Sequence, residues 1–152
     1  MKKYFLLVLL ILVIACAGPL KKSGKLTDGP VEFQTILAGP YSLVDTAYVS
    51  LVKNQSDWED TWLLAKGKID PLPLTPTVDF EQEYVIAAFM GERTTSGYKI
   101  EITEIEKHGD IIDVFVKRFE TPGMLTVMTN PYCLVRLPKG NYDINVIEEI
   151  VE

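Results

Sequence analysis

From Val31 onward, turn residues cut the chain into short apolar segments, and one stretch alone repeats its apolar positions at helical spacing. Residues 31–38 and 47–52 are strand candidates separated by the turn signal Gly39-Pro40. Residues 84–90 form an unbroken apolar run, which predicts a central strand covered on both faces. Residues 98–102 alternate, with Tyr98, Ile100 and Ile102 on one face. His108-Gly109-Asp110 closes a hairpin, and Ile112, Val114 and Val116 face inward from the following strand. After the turn at Pro122-Gly123, segments 125–128, 132–137 and 142–150 complete the set, the last two separated by Pro138-Lys139-Gly140-Asn141. The expected class is mainly β (α+β): an antiparallel β-sandwich or bent sheet of six to eight short strands with one covering helix.

The helical stretch begins at Ser56-Asp57-Trp58-Glu59, which matches a capping box with Ser56 as N-cap. Trp58, Trp62 and Ala65 follow on one face, and Gly67 supplies a stop. The two tryptophans are expected to pack against the sheet. Pro71, Pro73 and Pro76 then impose an extended connection.

Ahead of the domain, Lys2 and Lys3 precede an apolar run from Tyr4 to Ala15. That run is too short for a bilayer, which takes about 20 helical residues. It fits a signal peptide over residues 1–15. It ends in Val13-Ile14-Ala15-Cys16, which resembles the lipobox of bacterial lipoproteins. That resemblance implies cleavage before Cys16 and acylation (diacylglyceryl, with a palmitate-type chain) of its thiol. Multiple acyl chains suffice for stable anchoring, at about 0.8 kcal/mol per buried methylene. Ala17 rather than Asp follows, the outer-membrane pattern where a cell has two membranes. Residues 16–30 have linker composition and would form a tether of roughly 20 Å, leaving residues 31–152 as the domain.

Of the 15 basic residues, removing Lys2 and Lys3 leaves 13 against 21 acidic ones, a net charge of −8 without the leader. Such a surface repels phosphate backbones, so nucleic acid is not an expected partner. With Cys16 acylated, Cys133 has no disulfide partner and is expected to be a buried, inert thiol.

Catalytic chemistry is not expected. His108 is the only histidine and sits in a turn, away from any serine or cysteine it could activate. Ser96 lacks the glycine pattern of a nucleophile elbow. No Cys/His cluster suits zinc, and no glycine-rich phosphate loop is present, so no cofactor is expected. Asp79, Glu81 and Glu83 would share one face if residues 78–84 were a strand. They are the candidates for a metal or small-ligand site, with a solvated edge as the commoner outcome.

The feature that stands out is the loop Gly91-Glu92-Arg93-Thr94-Thr95-Ser96-Gly97-Tyr98, which leaves the most apolar strand. Loops fixed on rigid sheets concentrate binding function. Glu92, Arg93, Thr94, Thr95, Ser96, Gly97 and Tyr98 are the candidate partner-binding residues. Tyr132, from the segment 129–132, joins them if both lie at one end of the sheet. Arg93 and Tyr98 are the expected anchors, since Arg and Tyr dominate binding hot spots.

Several patterns in order resemble the C-terminal domain family of PrcB, a lipoprotein subunit of a bacterial surface protease complex. They are Trp58 and Trp62, then Val78-Asp79-Phe80 leading into Tyr84-Val85-Ile86-Ala87, then Gly91-Glu92-Arg93. Thr95-Ser96-Gly97-Tyr98-Lys99-Ile100, Thr129-Asn130-Pro131-Tyr132 and Val135-Arg136-Leu137-Pro138 continue the series. Where the family tends to show Gly-Gly-Tyr, this chain has Ser96-Gly97-Tyr98. The resemblance implies a non-catalytic accessory lipoprotein that binds a protein partner, such as a surface protease. The same loop is distantly similar to the Thr-Thr-Gly-Tyr loop of chagasin-type protease inhibitors, which keeps loop-insertion inhibition as the alternative expectation.

Overall fold

The computed structural model describes residues 27–152, so the leader, Cys16 and most of the tether lie outside the described residues. Eight strands and one helix follow in order: β1 (Gly29–Pro30), β2 (Gln34–Gly39), β3 (Tyr48–Val52), α1 (Gln55–Lys66), β4 (Glu83–Phe89), β5 (Lys99–His108), β6 (Ile111–Phe119), β7 (Tyr132–Pro138) and β8 (Asp143–Val151). One sheet has the order β1-β5-β6-β8 and the other β2-β7-β4-β3. Every pairing is antiparallel except β6 with β8, which is parallel. The mainly β class with one covering helix is what the sequence predicts.

The second sheet is apolar on both faces because both are covered. Ile86, Ala88, Met90, Cys133, Val135 and Leu137 pack toward the first sheet, against Ile100, Ile102, Ile112, Val114 and Val116. The alternate residues Val85, Ala87, Phe89 and Leu134 pack outward against Trp58, Trp62 and Ala65 of α1. Period-two alternation thus feeds two cores from one strand, which is why residues 84–90 read as a continuous apolar run. Both tryptophans are core residues, 0% and 5% exposed. Their indole Nε1–H groups donate to the carbonyls of Pro76 and Pro73, each at 2.8 Å, so the proline-rich connection is strapped to the sheet-facing side of α1. Cys133 lies between the sheets, and burial pushes its thiol pKa up.

Several local expectations need correction. The N-cap of α1 is Asn54, not Ser56: its Oδ1 accepts from the Asp57 amide at 2.9 Å, and its Nδ2 donates to Asp57 Oδ2 at 2.8 Å. Residues 125–128 form no strand, and Thr129 alone bridges to Arg93. Their flanking Pro122-Gly123 and Pro131 stop ladder formation, and Leu125 and Met128 face solvent. Asp79, Glu81 and Glu83 do not line one strand face. The Asp79 carbonyl accepts the Gln82 and Glu83 amides, each at 2.8 Å, and Asp79 Oδ1 accepts from Glu81 N at 3.0 Å, closing a turn before β4. Glu81 pairs with Lys139 at 3.8 Å and Glu83 with Arg136 at 3.7 Å, so the three carboxylates diverge.

Candidate functional site

The loop that leaves β4 does not stand alone. It lies beside residues 120–130, which lead from β6 to β7, and the two are joined rung by rung. Arg93 N donates to Thr129 O at 2.7 Å and Thr129 N to Arg93 O at 2.8 Å. Thr129 Oγ1 donates to Thr95 O at 3.0 Å, and Ser96 N to Leu125 O at 2.9 Å. Gly123 N donates to Ser96 O, and Leu125 N to Ser96 Oγ at 3.3 Å.

Gly97 makes this pairing possible. Its φ is +96°, and a Cβ there would meet the backbone at Thr121 O and, 2.6 Å away, at Gly123 N. The glycine the loop needs is therefore the second of the Ser96-Gly97 pair, while the Ser96 hydroxyl supplies a rung of its own.

Arg93 holds the two loops from one side. Its guanidinium lies over the Tyr98 ring, 5.6 Å from the centroid, and reaches Glu120 at 3.4 Å. Glu120 also takes Arg118 at 2.7 Å. With its side chain 22% exposed, Arg93 is an internal brace more than a free anchor. Of the other candidates, Glu92, Thr94 and Gly97 are exposed, and Thr95, Ser96 and Tyr98 are half-buried.

Tyr132 comes to the same end but is only 3% exposed, so it offers no surface to a partner. It forms part of the wall of a cleft of about 350 Å³ that also includes Gly39, Pro40, Tyr98 and Ile100. Burial raises the Tyr132 pKa above the ordinary tyrosine value. Asn130 ties in a third loop: its Nδ2 donates to Val44 O and Asp45 Oδ1, both at 3.1 Å, and its Oδ1 accepts from Lys68 at 2.6 Å.

The residues this end presents most openly are Met124 and two residues of the expected strand 125–128. Met124 is fully exposed, Leu125 is 68% exposed and Met128 is 46% exposed. No charged residue occurs from Thr121 to Val135 in a chain of net charge −6. Three large apolar side chains are thus exposed within five residues of an uncharged segment that is hydrogen-bonded to its neighbouring loop. The prolines and glycine around residues 124–128 were the available signal that this segment leaves the sheet.

No curated protein and no solved structure matches the chain. Residues 84–138 match the family model described as PrcB C-terminal. That segment runs from β4 to the end of β7 and contains both interlocked loops, so the similarity to the PrcB C-terminal family is confined to this part of the chain.

Proposed function

We propose that the protein is a non-catalytic, envelope-anchored lipoprotein, acylated at Cys16, whose domain binds a partner protein through its loop end, as an accessory to a surface protease. The carrying observation is the exposed trio Met124, Leu125 and Met128 on a loop hydrogen-bonded to the loop that leaves β4. Exposed apolar clusters on a pre-organised frame favour protein docking, because little ordering entropy is lost on binding.

The path of the chain favours a protein partner over the bilayer. β1 pairs with Lys107 and Glu106, at the far end of β5 from Lys99, where the loops lie. Ten strand residues separate these ends by about 30 Å. A tether leaving near Thr27 therefore holds the domain by the His108 hairpin end and turns the loop end away from the membrane. His108 sits in that hairpin beside Glu106 (3.4 Å) and Asp113 (3.6 Å).

The test is capture of envelope proteins by the full chain and by its Met124→Asp/Leu125→Asp variant, with circular dichroism to confirm the fold. Loss of a hot-spot contact of about 2 kcal/mol weakens capture roughly thirtyfold. Equal capture by the folded variant overturns the assignment of this surface.

A further inference from the structure

The four edge strands of the two sheets are not treated alike. β1 is two residues long and contains Pro30, β2 carries a register shift between Thr35 and Leu37, and β3 has five residues. Each device limits pairing with another chain. β8 has none of them: nine residues in unbroken register with β6, with no proline, lysine or bulge.

The hydrogen bonds give the phase of this edge. Asp143 N donates to Asp110 O at 2.9 Å, and Val151 O accepts from Glu120 N at 2.8 Å. In a parallel ladder that points the N–H and C=O of residues 143, 145, 147, 149 and 151 at β6. The same groups of Ile144, Val146, Glu148 and Ile150 point outward, and among the described residues no strand pairs with them. Val146, Ile147 and Ile150 are 36%, 38% and 57% exposed.

We infer that β8 pairs antiparallel with β8 of a second copy, with the two-fold axis at Ile147, joining two four-stranded sheets into one of eight. In that register all four outward-facing residues bond, Ile144 with Ile150 and Val146 with Glu148 of the second copy. Ile147 faces its own counterpart on the outer face, with Asn145 opposite Glu149 and Asp143 opposite Val151. No acid stands opposite an acid. Centring one residue earlier sets Asp143 against Glu149, and one later sets Glu148 against itself; like charges directly opposite are destabilising.

Charge also selects a second copy over a basic strand from another protein. Glu148 is held by Arg118 at 3.1 Å and Glu149 by Lys117 at 3.2 Å, so both acids on the strand's flank are already neutralised from β6. What the edge offers is backbone groups and branched apolar side chains, which an identical strand matches.

Cysteine cross-linking of the full chain in native membranes tests the register. The axis makes Ile147 a non-hydrogen-bonded pair with Cα atoms about 4.5 Å apart, within disulfide reach. Ile147→Cys is expected to give a disulfide-linked dimer as the main species on mild oxidation. Asn145→Cys, whose two copies lie about 13 Å apart along the strands, is expected to give none. Adding Val146→Pro to Ile147→Cys removes one outward N–H and no bond to β6, and is expected to abolish the link. No dimer from Ile147→Cys, equal dimer from Asn145→Cys, or a link from Ile147→Cys to a different protein or to the chain's own N-terminal segment would overturn the inference.

Discussion

Adding one methyl group at Gly97 tests whether the loop end is a braced platform. Gly97→Ala meets two separate costs. The backbone at φ +96° is a conformation that L side chains rarely adopt, a strain of about 1–3 kcal/mol. The new Cβ also runs into main-chain atoms at Thr121 and Gly123, which cannot rotate aside. Segment 121–123 must retreat, losing the Gly123–Ser96 hydrogen bond, worth about 1 kcal/mol. Together these predict about 2–4 kcal/mol.

Gly109→Ala is the matched control. Gly109 also has positive φ, +62°, but nothing lies within 4 Å of a Cβ there, so only the strain of about 1–2 kcal/mol remains. Urea unfolding of both variants separates the two costs. The Gly97 variant should be the less stable by about 1–2 kcal/mol, and partner capture should fall for Gly97→Ala alone. Equal destabilisation would refute the claim that the loops are in backbone contact at this point.

Two further outcomes follow from the packing and from one charged contact. Trp58→Phe removes the donor to Pro76 O and part of a fully buried ring, and is expected to cost about 2 kcal/mol in urea unfolding; an unchanged midpoint would detach the proline strap from α1. Asp28 accepts from Gly109 N at 3.0 Å and from Lys107 at 3.2 Å, which hold its carboxyl below the ordinary value of 3.8. A depressed folded-state pKa contributes stability above the unfolded value and loses it as pH falls through the folded one. Urea midpoints of wild type should therefore exceed those of Asp28→Asn above pH 3.8 and converge on them below it, and a gap that stays constant through the acid limb would count against the contact.

Much of the frame is legible from local pattern because local chemistry decides it. Residues 84–90 are apolar on both faces since the helix and the other sheet cover them, and Trp58, Trp62 and Ala65 define the covering face. Elsewhere two local solutions compete. Asn54–Asp57 and Ser56–Glu59 both satisfy a three-residue capping spacing, and Asn and Ser are near-equal N-caps, so the path of the incoming chain decides. Asp79 looks like the first of three alternating carboxylates, yet its carbonyl closes a turn that period-two counting cannot detect.

At the site, loop residues 91–98 were identifiable by composition, but their partner loop was not. Residues 125–128 read as a strand because apolar residues follow a turn there, yet they form none, and Leu125 and Met128 are exposed. Arg93 read as a free anchor because no local signal reveals Glu120 or the Tyr98 ring beneath it. The parallel pairing of β6 with β8 is also non-local: β7 intervenes in sequence and belongs to the other sheet.

A domain standing on its tether and a dimer paired through β8 make opposing demands on orientation. β8 runs parallel to β6, so its Val151 end lies beside the loops and its Asp143 end beside the His108 hairpin, where β1 begins. In the attachment proposed above, a single domain stands upright, with the exposed Met124 and Leu125 about 30 Å from the end where β1 begins. An antiparallel β8 pair sends the two N-terminal segments out at opposite ends. For the anchors proposed at both Cys16 residues to reach one flat membrane, the paired sheets must lie along it. The loop ends then project sideways, parallel to the membrane and in opposite directions. Under the proposed function, such a dimer would hold its two docking surfaces apart and beside itself rather than above it.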